Sequence, residues 1–358
     1  MHIFLSIITL FVLSLFLPAS CKKPKDAINF GKAPYTGKES FYNAGEDNGY
    51  IKNTYQYLSN TCKIFFKTMC SKNFWHFIEE KEKKQWYDPS KPANKTEKPT
   101  ITWIGHATAL IQIGNTNILT DPNFKDYMLI PNLYNRATPL GVTFKDLPPI
   151  DYVIVSHNHP DHLDAKAIQK LAKQGTHFLI PQGNKKKFIK WGINKKSIHE
   201  FFWNKTFKCK ENSVSFTFLP AKHATGRSLF DQNRSLWGSW IINHNGFTIY
   251  FAGDTAYGDH FKAIGKEHTI NAALLPIGPN EPRNLMEKVY HMSAQQAGQA
   301  WLDLKAKKLI PIHWGTFPLG TDRFLDPVVL LDKWAKKNAP KQKDNITFLR
   351  FGEQKELN

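Results

Sequence analysis

Cysteine is scarce in this sequence, with four residues among 358. The three that lie beyond the N-terminal stretch, Cys62, Cys70 and Cys209, are odd in number and form no CxxC pair. This pattern excludes a disulfide framework and a thiolate zinc site, and we interpret all three as packed thiols. Long low-complexity stretches are lacking too, which predicts one large domain with an N-terminal extension.

Acidic residues are few compared with basic ones. The chain has 30 Asp and Glu against 48 Lys and Arg, a formal net charge of +18. Such an excess predicts attraction to polyanions, namely nucleic acid, anionic lipid headgroups or phosphate-bearing substrates. Lysine runs such as the one at 185–187 are equally typical of solvated helix faces, so the charge alone does not select a partner.

The first twenty residues contain neither acidic nor basic side chains except His2, and an apolar run extends from Ile3 to Leu17. This is typical of an export signal. Small residues before Cys21 resemble the lipobox of bacterial lipoproteins, so residues 1–20 are predicted to be a signal peptide and Cys21 the lipid-bearing residue. An ordinary cleaved signal and an uncleaved anchor are the alternatives. The protein is therefore predicted to be a periplasm-facing lipoprotein of the bacterial cell envelope. The outer membrane is one location consistent with this prediction.

Residues 21–98 are predicted to form a partly helical extension. Their second half is rich in aromatic residues between Tyr55 and Phe77. One interpretation is an amphipathic helix on a membrane interface. Its phosphate-facing lysines would be Lys63, Lys67 and Lys72. The other interpretation, which we favour, is a helix packed on the main domain.

From residue 99 onward, short β runs alternate with helical segments. The pattern predicts hairpins about the turns at 114–115 and 245–246 and helices over about 164–174 and 293–305. Two mixed sheets faced by helices would satisfy it.

The most informative segment follows the apolar run at 152–156 and contains His157, His159, Asp161 and His162. Alternating histidines project to one side of an extended chain, and the turn that follows brings the last two residues back toward the same point. Imidazole and carboxylate are the ligands of Zn²⁺ and its borderline neighbours. The segment therefore predicts a metal site, with a metal-free polar loop as the alternative.

Three single candidate ligands follow at the ends of later β runs: His223, Asp254 and His313. A lone histidine at a strand end is more often structural, so their order and context give them weight. Seven such residues are enough for two metal ions.

Further short motifs accompany these residues. They are WIGHAT at 103–108, TDP at 120–122, LWGSW at 236–240, GDT at 253–255, EPR at 281–283 and HWGTF at 313–317. Together with HxHxDH at 157–162, they resemble the metallo-β-lactamase superfamily, and within it the N-acyl-phosphatidylethanolamine-hydrolysing phospholipase D family and its bacterial relatives.

This resemblance implies an αβ/βα four-layer sandwich, a catalytic domain over 99–358 and two zinc ions. The implied ligands are His157, His159 and His223 for one ion and Asp161, His162 and His313 for the other, with Asp254 bridging the pair. Asp161 and Asp254 are therefore also expected to be catalytic.

The resemblance also implies supporting residues. Asp121 and Asp164 are expected to orient ligand imidazoles, with turn capping as the alternative. His106 matches the family motif without a defined role. His291 is expected to contact phosphate or protonate the leaving oxygen, or else to be structural. Arg283 is expected to meet the lipid headgroup or to pin its own loop.

The function implied is a zinc-dependent phosphodiesterase that cleaves N-acyl-phosphatidylethanolamine or a related phospholipid, with hydroxide held between the metals as nucleophile. Phospholipid and a membrane surface are the expected partners. A lactonase or another ester or amide hydrolase of the superfamily is the nearest alternative, because one fold supports many chemistries. A nucleic-acid phosphodiesterase is disfavoured by the export signal, and a non-catalytic lipid-binding protein by the intact ligand set.

Overall fold

The computed structural model describes residues 41, 43, 50–71, 78–128, 134–209, 213–228, 231–287 and 290–357. The predicted signal peptide, Cys21 and Lys72 lie outside these ranges and stay predictions. Within them, no helix combines the length and the apolar character needed to cross a bilayer.

The helices of the described ranges are α1 Tyr50–Cys70, α2 Glu80–Trp86, α3 Ala165–Ala172, α4 Lys185–Lys190, α5 His260–Glu267, α6 Arg283–Met286, α7 Ala294–Leu304 and α8 Asp326–Asn338. The strands are β1 Thr100–Gly105, β2 Thr108–Ile113, β3 Thr116–Thr120, β4 Tyr127–Met128, β5 Tyr134–Asn135, β6 Tyr152–Ile154, β7 His177–Pro181, β8 Ile198–Phe201, β9 Lys205–Lys208, β10 Val214–Leu219, β11 Ser239–His244, β12 Phe247–Phe251, β13 Ala272–Pro276, β14 Lys308–Ile312 and β15 Gln354–Glu356.

The strands form two large sheets, in the orders β15-β1-β2-β3-β6-β7-β8 and β14-β13-β12-β11-β10-β9, beside the small pair β4-β5. Each large sheet joins antiparallel hairpins to parallel strands: β3, β6, β7 and β8 run parallel in the first, and β12, β13 and β14 in the second. The prediction of two mixed sheets is confirmed.

Both predicted hairpins are present, as β2–β3 and β11–β12. Their turns place Gly114, Asn115, Asn245 and Gly246 at φ values of 53°, 56°, 49° and 84°. A tight hairpin turn that matches the twist of its strands requires positive φ at both central positions, which asparagine and glycine tolerate best.

The layers of the fold follow from the alternation of side-chain direction along the strands. In the first sheet, Ile111 and Leu179 pack in a core shared with the second sheet, whereas their neighbours Leu110 and Phe178 pack in a separate cluster. That second cluster includes Ile168 and Leu171 of α3 and Phe188 of α4. Because successive side chains point to opposite faces, each strand feeds both layers. Helices α5 and α7 join the shared core through residues such as Phe261 and Trp301. The predicted sandwich fold class is confirmed.

The two predicted helices are shorter than expected, α3 by three residues and α7 by two. Helix α3 ends at Ala172 rather than near 174, and Asp164 is its N-cap. Helix α7 begins after Ser293, whose side chain forms a capping box with Gln296, and it ends where Lys305 adopts φ 53°.

Helix α1 of the extension packs on the main domain. Ile64 is buried in a cluster with Leu285 and Met286 of α6. Lys63, Phe66 and Lys67 are exposed. The described part of α1 thus matches the packed-helix interpretation, and it keeps a basic, aromatic outer face.

The capping box provides a stability test. Replacing Ser293 with Ala removes the acceptor for the Gln296 amide, so we expect the free energy of unfolding to fall by about 1 kcal/mol. Ser293→Asp, which keeps an acceptor, should stay close to wild type. Chemical denaturation of the three proteins measures the difference, and equal losses in both variants would contradict this role.

Candidate metal centre

The seven predicted ligands lie just beyond strand ends. His157, His159, Asp161 and His162 follow β6 of the first sheet. His223, Asp254 and His313 follow β10, β12 and β14 of the second sheet. Both sheets therefore contribute residues to one cluster. The sequence predicted that these seven residues would lie together, and they do.

Three imidazoles form the first ligand group. The Nε2 atom of His157 lies 2.8 Å from Nδ1 of His159, which lies 3.3 Å from Nε2 of His223. Ligand atoms around a tetrahedral ion with bonds of about 2.0 Å lie roughly 3.3 Å apart. The group can therefore hold a metal ion.

The second group contains Asp161, His162 and His313. The Nε2 atoms of the two histidines are 3.2 Å apart, and Oδ2 of Asp161 lies 3.5 Å from the first and 3.9 Å from the second. Nε2 of His106 joins at 2.9 Å from the same Asp161 oxygen, so this group has four members that can hold an ion.

Asp254 lies between the two groups. Its Oδ2 is 3.2 Å from Nε2 of His162 and 3.9 Å from Nε2 of His223. Its Oδ1 lies 3.0 Å from Nε2 of His313, yet this buried oxygen has no hydrogen-bond partner. An unpartnered buried carboxylate oxygen facing an imidazole nitrogen fits a cation that binds both.

The outer nitrogens of three imidazoles are fixed by acceptors. These are the Asp121 carboxylate for His162, the Tyr290 carbonyl for His223 and the Gly278 carbonyl for His313, at 2.7, 3.0 and 2.9 Å from Nδ1. A carbonyl or carboxylate oxygen only accepts, so each Nδ1 is the donor and each Nε2 faces the centre of the cluster. This second set of contacts aims the ligands.

Asp121 serves both ligand groups. Its Oδ2 accepts from His162 and from the Ser156 hydroxyl, and its Oδ1 accepts from the Ser156 amide at 2.7 Å. Because that hydroxyl donates to Asp121, it can accept from Nδ1 of His157 at 2.9 Å. One carboxylate therefore aims a histidine in each group, which is the orienting task expected of it.

Asp164 does not have the imidazole-orienting task. Its carboxylate accepts from the Lys166 amide at 3.0 Å as the N-cap of α3, and Lys125 Nζ lies 4.0 Å away. The free amides at a helix start attract an acceptor, so the capping alternative describes this residue.

The backbone is strained around the centre. His106, Asp121 and His313 have φ values of 55°, 33° and 60°. The His106 amide donates to the Thr316 hydroxyl at 2.7 Å, and its carbonyl accepts from the His313 amide at 2.9 Å. Such conformations persist where the surroundings fix them, and they often mark functional sites.

Glycine is required beside Asp254. Gly253 has φ 60°, and a Cβ atom there would lie 2.2 Å from Cβ of Ser156. The segments that follow β6 and β12 can approach this closely only because residue 253 is glycine. A side chain there would collide with Ser156, the residue that links Asp121 to His157.

Burial keeps the first group neutral. It lowers the pKa of His159 to about 3 and that of His223 to about 4, and it holds the pKa of His157 well below its usual range. Neutral imidazole is the form that binds metal. Burial also opposes charge on His162, but Asp254 and Asp161 raise its pKa well above the usual value. A proton and a metal ion compete for that nitrogen.

His291 lies on the open side of the cluster. Its Nδ1 is 3.8 Å from Oδ2 of Asp254, and its side chain is 18% exposed, whereas those of His162, His223 and His313 are 1% exposed or less. Arg283 donates to the His291 carbonyl. Of the two roles expected for Arg283, the structure shows the pinning of a loop.

Arg227 was not identified from the sequence. Its Nη1 donates to the carbonyls of Asn158 at 3.0 Å and Leu163 at 2.8 Å, on either side of the central ligands of the HxHxDH segment. No local motif marks this arginine, because its partners lie more than sixty positions earlier in the chain.

Comparisons with known proteins agree with this geometry. The Beta-lactamase superfamily domain matches residues 116–314. N-acyl-phosphatidylethanolamine-hydrolyzing phospholipase D 1 of Caenorhabditis elegans is 34% identical over 238 residues, which are 63% of this chain and 67% of that protein. A UPF0173 metal-dependent hydrolase of Nitratidesulfovibrio vulgaris is 30% identical, over 63% of this chain and 84% of its own length. For three mycobacterial relatives the matched share is 62% of their length, and for a Saccharomyces cerevisiae relative it is 51%.

The fold itself has solved counterparts. Igni18, a metallo hydrolase from the archaeon Ignicoccus hospitalis, superposes with a TM-score of 0.55 and 21% identity, covering 72% of this chain and 97% of that one. Fold and site together define a metal-dependent hydrolase. The chain belongs to the metallo-β-lactamase superfamily and is similar to its N-acyl-phosphatidylethanolamine-hydrolysing phospholipases D.

The contrast between two aspartates gives a test. In Asp121→Asn the shared acceptor loses its charge, and an amide group faces donors, so we expect zinc affinity to fall about 10- to 100-fold. Asp164→Asn is the matched control, since its carboxylate caps a helix and contacts no ligand. Zinc titration of the chelator-treated proteins measures both, and a similar loss in the two variants would contradict the assignment.

Proposed function

We propose that this protein is a zinc-dependent phosphodiesterase of phospholipase D type, which cleaves N-acyl-phosphatidylethanolamine or a related phospholipid. The observation that carries the proposal is the position of Asp254 between two ligand groups. A phosphodiester has enough oxygen atoms to bind two metal ions at once. Many other hydrolytic enzymes use a single metal ion. Similarity to the Caenorhabditis elegans phospholipase supports the same substrate class.

The two groups fit two zinc ions. His157, His159 and His223 would hold one, and Asp161, His162 and His313 the other, with Asp254 shared. Bound zinc would lower the pKa of water to near neutrality and offset negative charge on the phosphate. The protein itself keeps the imidazoles of the first group neutral, and no serine or cysteine nucleophile is required.

His291 is the residue we assign to the substrate. Its side chain is more exposed than those of His162, His223 and His313, which also lie within 4 Å of Asp254, and burial holds its pKa well below the usual range. A neutral imidazole can donate one N–H to a phosphate oxygen or to the departing oxygen. Arg283 supports this role by fixing the His291 carbonyl.

An apolar surface adjoins the second ligand group. The Phe317 ring lies edge-on to His106, with centroids 5.4 Å apart. It belongs to a cluster that lies between the main domain and α1: Met128, Tyr134, Phe317, Phe65, Met69 and Leu319. Met128, Tyr134 and Phe317 are only 9%, 5% and 5% exposed, so the cluster is packed, and it gives the centre an apolar neighbourhood that suits a substrate with an apolar part.

The exposed face of α1 supports contact with a membrane. Phe66 is 47% exposed and lies between exposed Lys63 and Lys67. Aromatic and basic side chains together suit the headgroup region of an anionic bilayer. We further propose an exported lipoprotein attached through Cys21, which would place this face beside its substrate.

Product identification tests the reaction. With vesicles that contain N-acyl-phosphatidylethanolamine, we expect phosphatidic acid and an N-acylethanolamine, with activity lost on chelation and restored by zinc. Mass spectrometry of both products, with elemental analysis of two zinc per chain, gives the measurement. Opening of a lactone ring without release of phosphatidic acid would favour the alternative hydrolase.

Asp254→Asn tests the shared carboxylate. If the metals contribute about 3 kcal/mol to the transition state, kcat/KM should fall by roughly 100-fold or more. Asp332→Asn is the control, because that exposed carboxylate only pairs with Lys336 on α8. Unchanged lipid cleavage in Asp254→Asn would contradict the mechanism.

Charge reversal tests the membrane face. Lys63→Glu combined with Lys67→Glu should weaken binding to phosphatidylglycerol-containing vesicles at least about tenfold, because each lysine near an anionic surface contributes roughly 1 kcal/mol. The control reverses exposed Lys195 and Lys196, with the same change in net charge. Vesicle co-sedimentation at low salt compares the two, and equal weakening would point to net charge rather than to α1.

A further inference from the structure

One buried residue of the N-terminal extension contacts the candidate metal centre. Asn43 is 4% exposed and precedes the region that matches the family, which begins at residue 116. Its Oδ1 accepts from the His223 amide at 2.9 Å and from Nε1 of Trp237 at 3.0 Å. Both partners are donors, so the side-chain oxygen, not the amide nitrogen, must face them.

The His223 amide depends on this acceptor. Strand β10 ends at Leu219, so His223 lies in a loop beyond the sheet ladder. A buried N–H group without an acceptor is costly, and such groups are nearly always paired in native proteins. Asn43 provides the pairing for the backbone of a ligand residue.

Phe41 is hydrogen-bonded to the same loop. The Phe41 amide donates to the Asn233 carbonyl at 2.8 Å, and the Phe41 ring is buried at 3% exposure. Asn233 in turn is joined to Thr225 by two hydrogen bonds, one in each direction, of 2.7 and 2.9 Å. The residues at 41, 43, 223, 225 and 233 therefore form one connected unit.

His223 is consequently fixed at two points. Its ring donates to the Tyr290 carbonyl at 3.0 Å, and its amide donates to Asn43 at 2.9 Å. The ring contact sets the direction of Nε2, and the amide contact sets the position of the backbone that carries it. Nε2 then lies 3.3 Å from Nδ1 of His159, within the first ligand group.

We propose that Asn43 is a positioning residue for the metal ligand His223, so that the extension is a component of the centre and not only a tether. The inference rests on the metal-ligand set of the proposed function and is independent of the lipid substrate. By thermodynamic linkage, an ion bound to the first group should in turn stabilise the contacts of Phe41 and Asn43.

Metal titration of full-length variants tests this role. Wild type, Asn43→Ala, Asn43→Asp and Trp237→Phe are freed of metal with a chelator and titrated with zinc against a chromophoric competitor. We expect Asn43→Ala to weaken one zinc equivalent about 10- to 100-fold and to leave the other unchanged. Asn43→Asp, which keeps an acceptor oxygen, should restore most of the affinity.

Trp237→Phe is the matched control. It removes the other donor to the same Asn43 oxygen and disturbs the same packing, but it leaves the His223 amide paired. Both zinc equivalents should keep wild-type affinity. The inference is overturned if Asn43→Ala binds both zinc ions as wild type does, or if Trp237→Phe loses one equivalent to the same degree.

If a variant fails to fold, amide hydrogen exchange measured on the wild-type protein tests the inference without any substitution. Loading with zinc should increase protection of the Phe41 amide, and equal protection with and without zinc overturns the inference. If wild type itself binds no zinc, the ligand set of the proposed function fails, and the inference fails with it. If it binds zinc but cleaves no phospholipid, only the proposed substrate fails.

Discussion

The inward orientation of buried imidazoles is the constraint on which this structure depends. Nitrogen atoms that face each other at about 3 Å repel unless a proton or a cation lies between them, so each ring must be held from its outer side. For His157, His162, His223 and His313 the protein does this with acceptors on Nδ1. The Asp121 carboxylate serves two of them, His162 directly and His157 through Ser156. The strained backbone at His106 and His313 and the glycine at 253 follow from the same close packing.

Electrostatics divides the centre into two unlike halves. The first group consists of imidazoles that burial keeps neutral, so it presents lone pairs without net charge. The second contains Asp161, whose charge is favoured by His162 and His106 even though burial opposes it. Asp254 adds a second carboxylate between the halves; burial opposes its charge, but the neighbouring His162 and His313 hold its pKa well below the usual range. Divalent cations bound here would offset the negative charge of these two carboxylates.

The surroundings of the centre belong to several parts of the chain. The extension reaches His223 through Asn43 and lines the apolar surface beside His106 through α1. Arg227 fixes the loop that carries the HxHxDH ligands. Removal of residues 1–98 would therefore remove both part of this apolar cluster and the hydrogen bond to the His223 amide. The family match covers residues 116–314, whereas the contacts made by Asn43 and α1 come from the extension that precedes it.

The sequence by itself determined the features that depend on near neighbours. Alternation and a turn collect His157 through His162, positive-φ turn residues define two hairpins, and Ser293 with Gln296 starts a helix, because each effect acts within a few positions. The fold was predicted from the resemblance to a known family, which rests on the order of the later ligands His223, Asp254 and His313. Only the tertiary structure separated Asp121 from Asp164: the same task was expected of both, but one accepts from His162 and, through Ser156, aims His157, whereas the other caps α3. It alone revealed Asn43, since a hydrogen bond across 180 positions leaves no local pattern.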